Sequence, residues 1–253
     1  MLERRTVVKG LGALPLATVL ADPGQSRAAA ETLTPVTLDT PGGRTVAAAL
    51  ARPAETPAPA VVLIHEWWGL NDQIKTMAAE LAAAGYVALA IDLMNGHVAT
   101  TPEDAQGLVS RVDDQAARDT LVGWIDWLRH QPFCSGRVAT LGWCFGGGWS
   151  LQASLATPVD ATVIYYGRVV APAETLAALK GPVLGHFANR DVFITPTMVN
   201  GFQTEMARAG KPLDLYRYDA DHAFANPTGH NYHRDDAQLA WQRTLAFLAA
   251  NLK

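Results

Sequence analysis

The sequence predicts a single α/β domain, a mostly parallel sheet flanked by helices, with an antiparallel hairpin at its N-terminal end. Three observations carry this prediction. Short, continuous apolar runs recur along the chain, as expected of strands buried on both faces. Longer segments with apolar residues at helical spacing separate them. The two patterns alternate to the C-terminus, and no repeat, low-complexity tract or linker divides the 253 residues into two units.

The first 30 residues are expected to stand outside this domain, which would span residues 31–253. Arg4, Arg5 and Lys9 precede the apolar run Leu11 to Ala21, and small residues follow at Ala28-Ala29-Ala30. A basic region, a short apolar region and a small-residue stretch describe a cleavable export signal. The apolar run is too short to span a bilayer, which takes about 20 residues. The paired arginines resemble a twin-arginine signal, so a periplasmic location is expected. Losing residues 1–30 would take the net charge from −4 to −6.

The elements then follow in order. Thr32 to Thr40 and Arg44 to Arg52 alternate around Pro41-Gly42-Gly43 and predict the hairpin. Ala60 to Ile64 is a buried strand, Asn71 to Ala84 a helix closed by Gly85, and Tyr86 to Ile91 the next strand. Thr101-Pro102-Glu103-Asp104 opens a helical stretch, with room for one break, that runs to Leu128. Further strands are expected at Val138–Gly142, Ala161–Tyr166, Val183–Phe187 and Leu213–Tyr218. In the last helix Trp241, Leu245, Leu248 and Leu252 form one apolar stripe, with Asp235 and Asp236 near the positive end of its dipole.

Composition narrows the function classes. A net charge of −4 gives no electrostatic reason to expect nucleic acid or an anionic membrane surface. No glycine loop with a phosphate-binding lysine follows a strand, and His230 and His233 have no supporting ligand cluster. Neither cofactor nor metal is expected. The two cysteines, Cys134 and Cys144, are separated by a strand whose six residues span about 20 Å, whereas a disulfide needs Cα atoms within about 7 Å. A free thiol in an exported protein calls for a reason, and catalysis is one.

Gly142-Trp143-Cys144-Phe145-Gly146-Gly147 falls where a strand gives way to a helix. This is the pattern of a nucleophile elbow with cysteine in the nucleophile position. The helix N-terminus favours a thiolate and an oxyanion, and the Phe145 amide is placed to donate to the latter. An acid and then a histidine should follow, each on a loop after a later strand. Asp191 and His222 meet both conditions. Glu66 ends the first buried strand at the same carboxyl-end crevice, where a carboxylate disfavours a thiolate and can hold Cys144 neutral. The adjoining Trp67 amide is the candidate second oxyanion donor.

With these residues the chain resembles the dienelactone hydrolase family. The likeness runs through Ile64-His65-Glu66, Gly85-Tyr86, Asp92-Leu93, the elbow, Tyr165-Tyr166-Gly167, Asp191 with Phe193, and His222 with Phe224. It implies an α/β-hydrolase fold without cofactor, a Cys-His-Asp triad at Cys144, His222 and Asp191, and an activating glutamate at Glu66. The implied reaction is hydrolysis of enol-lactones (the carboxymethylenebutenolidase reaction) through an acyl-thioester. Asn226 and Gly96 stand where lactone-cleaving members carry arginines that clamp the substrate carboxylate. Arg168 or Arg190 is the candidate replacement, and Trp68, Trp143 and Tyr166 are the candidate aromatic lining. The expected partner is a small ester or lactone, and a monomer is compatible with the sequence. The competing readings are a broad periplasmic esterase or thioesterase, and a non-catalytic binding or thiol-redox protein that keeps the fold.

Overall fold

The computed structural model describes residues 22–40 and 42–253. Eight strands form one sheet: β1 (Thr34–Asp39), β2 (Thr45–Ala51), β3 (Ala58–Ile64), β4 (Val87–Ile91), β5 (Cys134–Trp143), β6 (Ala161–Tyr165), β7 (Val183–Ala188) and β8 (Leu213–Tyr218). Their spatial order is β1-β2-β4-β3-β5-β6-β7-β8. β1 and β2 pair antiparallel, with Thr34 opposite Leu50, and β2 pairs antiparallel with β4. Every other pairing is parallel. This is the expected α/β-hydrolase class with its N-terminal hairpin.

Side-chain alternation along the strands explains the helices on both faces. In β3, Val61 and Leu63 join the core under α2 (Asp72–Ala83) and α8 (Arg234–Leu252), while Ala60, Val62 and Ile64 face the core under α4 (Asp114–Arg129). A third cluster lies between β6–β7, α6 (Ala173–Leu176) and α7 (Pro196–Arg208), and it includes Leu176, Phe187, Val199 and Phe202. With both faces covered, β3 and β4 have no polar face to alternate, which is why they read as unbroken apolar runs.

The expected helix from Pro102 to Leu128 breaks once. α3 (Pro102–Val109) is capped by Thr101, whose hydroxyl accepts from the Asp104 amide, and α4 restarts with Asp113 accepting from the Ala116 amide at 2.8 Å. The stripe of α8 differs from the expected one. Its buried residues are Ala240, Thr244, Phe247, Leu248 and Leu252, and Trp241 and Leu245 are only half-buried. A polar chain explains the rotation. Thr244 Oγ1 meets Tyr165 OH at 2.7 Å and His186 Nε2 at 3.1 Å, and His186 Nδ1 meets Tyr218 OH at 2.8 Å. Burial pushes His186 down to about 3, so its ring stays neutral in this network.

The expected leader falls mostly on residues 1–21, outside the described residues. Residues Pro23–Ala30 form a helix, α1, capped by the Asp22 carboxylate. The Ser26 hydroxyl lies 2.9 Å from Thr76 Oγ1 on α2, and Ala29 and Ala30 are buried. Among the described residues no helix is long and apolar enough to cross a membrane.

Candidate active site

β5 ends at Trp143, and α5 (Phe145–Ala156) begins two residues later. Cys144 bridges them with φ 51 and ψ −115, a positive-φ conformation that L-residues rarely adopt. Its amide donates to the Tyr165 carbonyl at 3.0 Å, and its carbonyl accepts from Gly147 and Gly148. The surrounding glycines are there for space. A Cβ at Gly142 would sit 2.0 Å from the Gly146 carbonyl oxygen, and one at Gly146 would sit 2.2 Å from that of Ile64. Only bare backbone lets the helix start this close to the ends of β3 and β5.

Asp191 follows β7 and His222 follows β8. One Asp191 oxygen accepts from the amides of Phe193 and Ile194, at 2.8 and 2.9 Å. The other accepts from His222 Nδ1 at 2.6 Å, and His222 Nε2 lies 3.2 Å from Cys144 Sγ. Burial opposes charge on both groups, but their mutual hydrogen bond and attraction outweigh it. Asp191 is held below its ordinary value, and His222, also facing Cys144, is pushed up to about 10. Tyr166 and Phe193 pack edge-on against the imidazole, with ring centroids 5.2 and 5.3 Å away. The pieces expected from sequence therefore meet in one hydrogen-bonded line.

Glu66 is buried, and this burial pushes its carboxyl up. Tyr166 OH donates to one oxygen at 3.2 Å, and Asn226 Nδ2 donates to the other at 2.6 Å. The Asn226 amide cannot turn round, because its oxygen accepts from both the amide and the hydroxyl of Thr228. In the sequence Asn226 stands out only as a missing arginine. Its role as a partner of Glu66, 160 residues away, has no local signature.

These groups open onto a crevice of about 740 Å³. Trp67, Trp68, Phe145, Trp149, Tyr166 and Phe193 supply its aromatic walls. Arg168, His230 and Asn231 add polar groups. Two expected lining residues lie elsewhere. Trp143 is buried with its ring 5.5 Å from that of Tyr165, in the core below the elbow. Arg190 bonds to Asp219 and Asp221 and is not part of the crevice wall. Trp149, one turn into α5, takes the wall position expected of Trp143, and helical periodicity starting at the elbow would have pointed to it. His233 pairs with Asp236 rather than with His230, and among the described residues no group of three or more His, Cys, Asp or Glu is placed to hold a metal ion. Both cysteines are free thiols, Cys134 buried and Cys144 half-buried.

A sequence model of the dienelactone hydrolase family matches residues 46–252. The chain is 31% identical over 218 residues to the carboxymethylenebutenolidase of Pseudomonas putida, covering 82% of this chain and 92% of that protein. It is 28% identical over 218 residues to carboxymethylenebutenolidase 1 of Cupriavidus pinatubonensis, with the same coverage. Its fold is similar to the crystal structure of the dienelactone hydrolase-like promiscuous phosphotriesterase P91 from metagenomic libraries. That match has a TM-score of 0.76 and 23% identity and covers 87% of this chain and 99% of the other. Fold and sequence thus agree, and the chain belongs to the dienelactone hydrolase family of lactone and ester hydrolases.

Proposed function

We propose that this protein cleaves carboxylic esters or lactones through a Cys144–His222–Asp191 triad and an acyl-thioester. The observation that carries this reading is the unbroken line Asp191–His222–Cys144, at 2.6 and 3.2 Å, at a strained elbow inside an aromatic crevice. His222 takes the thiol proton, and the sulfur attacks the carbonyl carbon. The amides of Phe145 and Trp67 hold the resulting oxyanion. As the tetrahedral species collapses, the carbon–oxygen bond of the ester breaks and His222 returns the proton to the leaving alkoxide. Water then attacks the thioester with His222 as base, releasing the acid and restoring the thiol. Asp191 keeps Nδ1 protonated throughout, so that Nε2 faces the sulfur. Glu66, held by Asn226 and Tyr166, is a protonatable neighbour that disfavours premature charge on the sulfur.

Asn226 is occupied by Glu66 and Arg190 is held by Asp219 and Asp221, which leaves Arg168 as the single arginine lining the crevice where lactone-cleaving members of the family carry two. A neutral aryl ester therefore suits the site better than a lactone carrying a carboxylate. The test is turnover of a small aryl acetate and of dienelactone by wild type and by Cys144→Ala. Wild type should hydrolyse both, with the higher kcat/KM on the aryl ester, and the variant should be slower by at least about 10³-fold, as expected for a lost nucleophile. A variant as active as wild type would remove the triad from the reaction.

We also propose that the chain is exported by a twin-arginine route and processed ahead of α1 rather than at Ala28-Ala29-Ala30. Support comes from the Asp22 cap, the Ser26–Thr76 bond and the burial of Ala29, all of which cleavage after residue 30 would discard. Val19-Leu20-Ala21 supplies a small-residue recognition pattern directly before Asp22. N-terminal sequencing of periplasmic protein should begin at Asp22. A start at Glu31 would reverse this boundary, and an unprocessed cytoplasmic product would remove the export reading.

A further inference from the structure

We infer that His65 is the positioning residue of the oxyanion hole, acting through the single peptide unit that joins Glu66 to Trp67. The inference rests on the ester-hydrolase reading above and deepens it. His65 directly follows β3 with no exposed surface, and both ring nitrogens are engaged. The Leu93 amide donates to Nε2 at 3.1 Å, so Nε2 is an acceptor and the ring proton sits on Nδ1. Nδ1 then donates to the Glu66 carbonyl at 2.6 Å. That carbonyl and the Trp67 N–H belong to one planar trans peptide, in which C=O and N–H point in opposite directions. Anchoring the carbonyl on the buried side therefore fixes the N–H on the side of the crevice, which Trp67 lines. Hydrogen bonds in series also polarise one another, so the bond to the carbonyl makes that N–H a stronger donor.

Three further contacts brace this unit and its surroundings. The Gly69 amide donates to the Glu66 carbonyl at 3.3 Å, and the Ala99 amide donates to the Trp68 carbonyl at 2.9 Å. The His65 ring stacks on Phe145 with centroids 6.0 Å apart and 15° between planes, which couples it to the other proposed donor. The loop that carries Leu93 is itself rigid, because the Asp92 carboxylate accepts from the amides of Met94 and Gly96. His65 thus links the end of β4 to the turn after β3 and rests against the start of α5.

Two near-isosteres separate its bonds. Asparagine places an amide donor close to the position of Nδ1, and glutamine places an acceptor close to that of Nε2. Deleting an oxyanion donor outright costs roughly 10²–10³-fold in kcat. Loosening one should cost less, about 10–50-fold for His65→Gln on an aryl acetate, with KM within about twofold. The inhibition constant of a trifluoromethyl ketone should rise by the same factor, because its adduct needs the same donors. Alkylation of Cys144 by iodoacetamide passes through no oxyanion and should keep its wild-type rate. His65→Asn should recover most of kcat. Equal damage in the two variants, a loss carried by KM or by alkylation, or unfolding of both would make His65 a core prop and overturn the inference. Inert wild-type protein, or a Cys144→Ala variant as active as wild type, would instead overturn the ester-hydrolase reading, whatever the His65 variants do.

Discussion

Replacing Asp191 with asparagine is expected to lower kcat/KM on an aryl ester by about 10³–10⁴-fold while the fold survives. The reason lies in which atoms the side chain serves. One Asp191 oxygen accepts from two backbone amides, and the asparagine carbonyl would inherit those bonds. Its NH₂ group is then left facing His222 Nδ1, 2.6 Å away in the native protein. Two N–H groups cannot share that contact, so the imidazole must place its proton on Nε2. A proton there faces Cys144, and the ring can no longer take one from the sulfur.

The same substitution changes the pH dependence of stability. His222, pushed up to about 10 in the folded protein, contributes stability that is fully present below its ordinary value near 6.5 and is lost as pH rises through about 10. Asp191, held below its ordinary value near 3.8, contributes stability that is present above that value and is lost as pH falls through its folded value. The Asp191–His222 pair is common to both shifts, and Cys144 adds to that of His222. The wild-type advantage over Asp191→Asn in urea denaturation should therefore be largest from about pH 4.5 to 6.5 and shrink on either side. An advantage that keeps growing toward pH 11 would contradict the pairing.

Gly146→Ala should inactivate by a different route. The added Cβ would lie 2.2 Å from the Ile64 carbonyl oxygen and 2.5 Å from that of His65, both of them backbone. Neither can swing aside as a side chain would, so α5 must retreat from β3. Overpacking of this kind costs about 1–3 kcal/mol or more, and a misplacement of about 1 Å at a reacting centre costs about 10²-fold in rate. The expected outcome is a lowered Tm together with kcat/KM reduced by at least about 10²-fold. Gly201→Ala, on the exposed side of α7 with open space at its Cβ, is the matched control and should keep wild-type activity. A fully active Gly146→Ala would mean that the close approach of α5 to β3 is not needed for turnover.

Much of this was legible in the sequence because it is local. The elbow pattern places a cysteine between a strand and a helix, and strain, glycine spacing and the helix N-terminus follow from a few consecutive residues. Asp191 and His222 could be read from order alone, because a parallel sheet brings the loops after successive strands to one edge. The break at Ser110 to Asp113 and the stripe of α8 were less legible. One depends on a cap competing with a continuous apolar pattern. The other depends on Thr244, a polar residue buried because Tyr165 and His186 wait for it across the core.

What the sequence alone determined, then, was the class of fold, the alternation of its elements and the residues that meet in the candidate site, since each is written in spacing and residue type along a short stretch. Only the tertiary structure decided that Asn226 holds Glu66, that Trp149 rather than Trp143 faces the crevice, and that Arg190 is drawn away by Asp219 and Asp221. It also decided that His65 reaches from the end of β3 to the loop after β4. These pairings depend on the strand order β4-β3-β5 and its register, which bring distant residues within hydrogen-bond reach. Periodicity along one segment carries no information about which other segment will lie beside it.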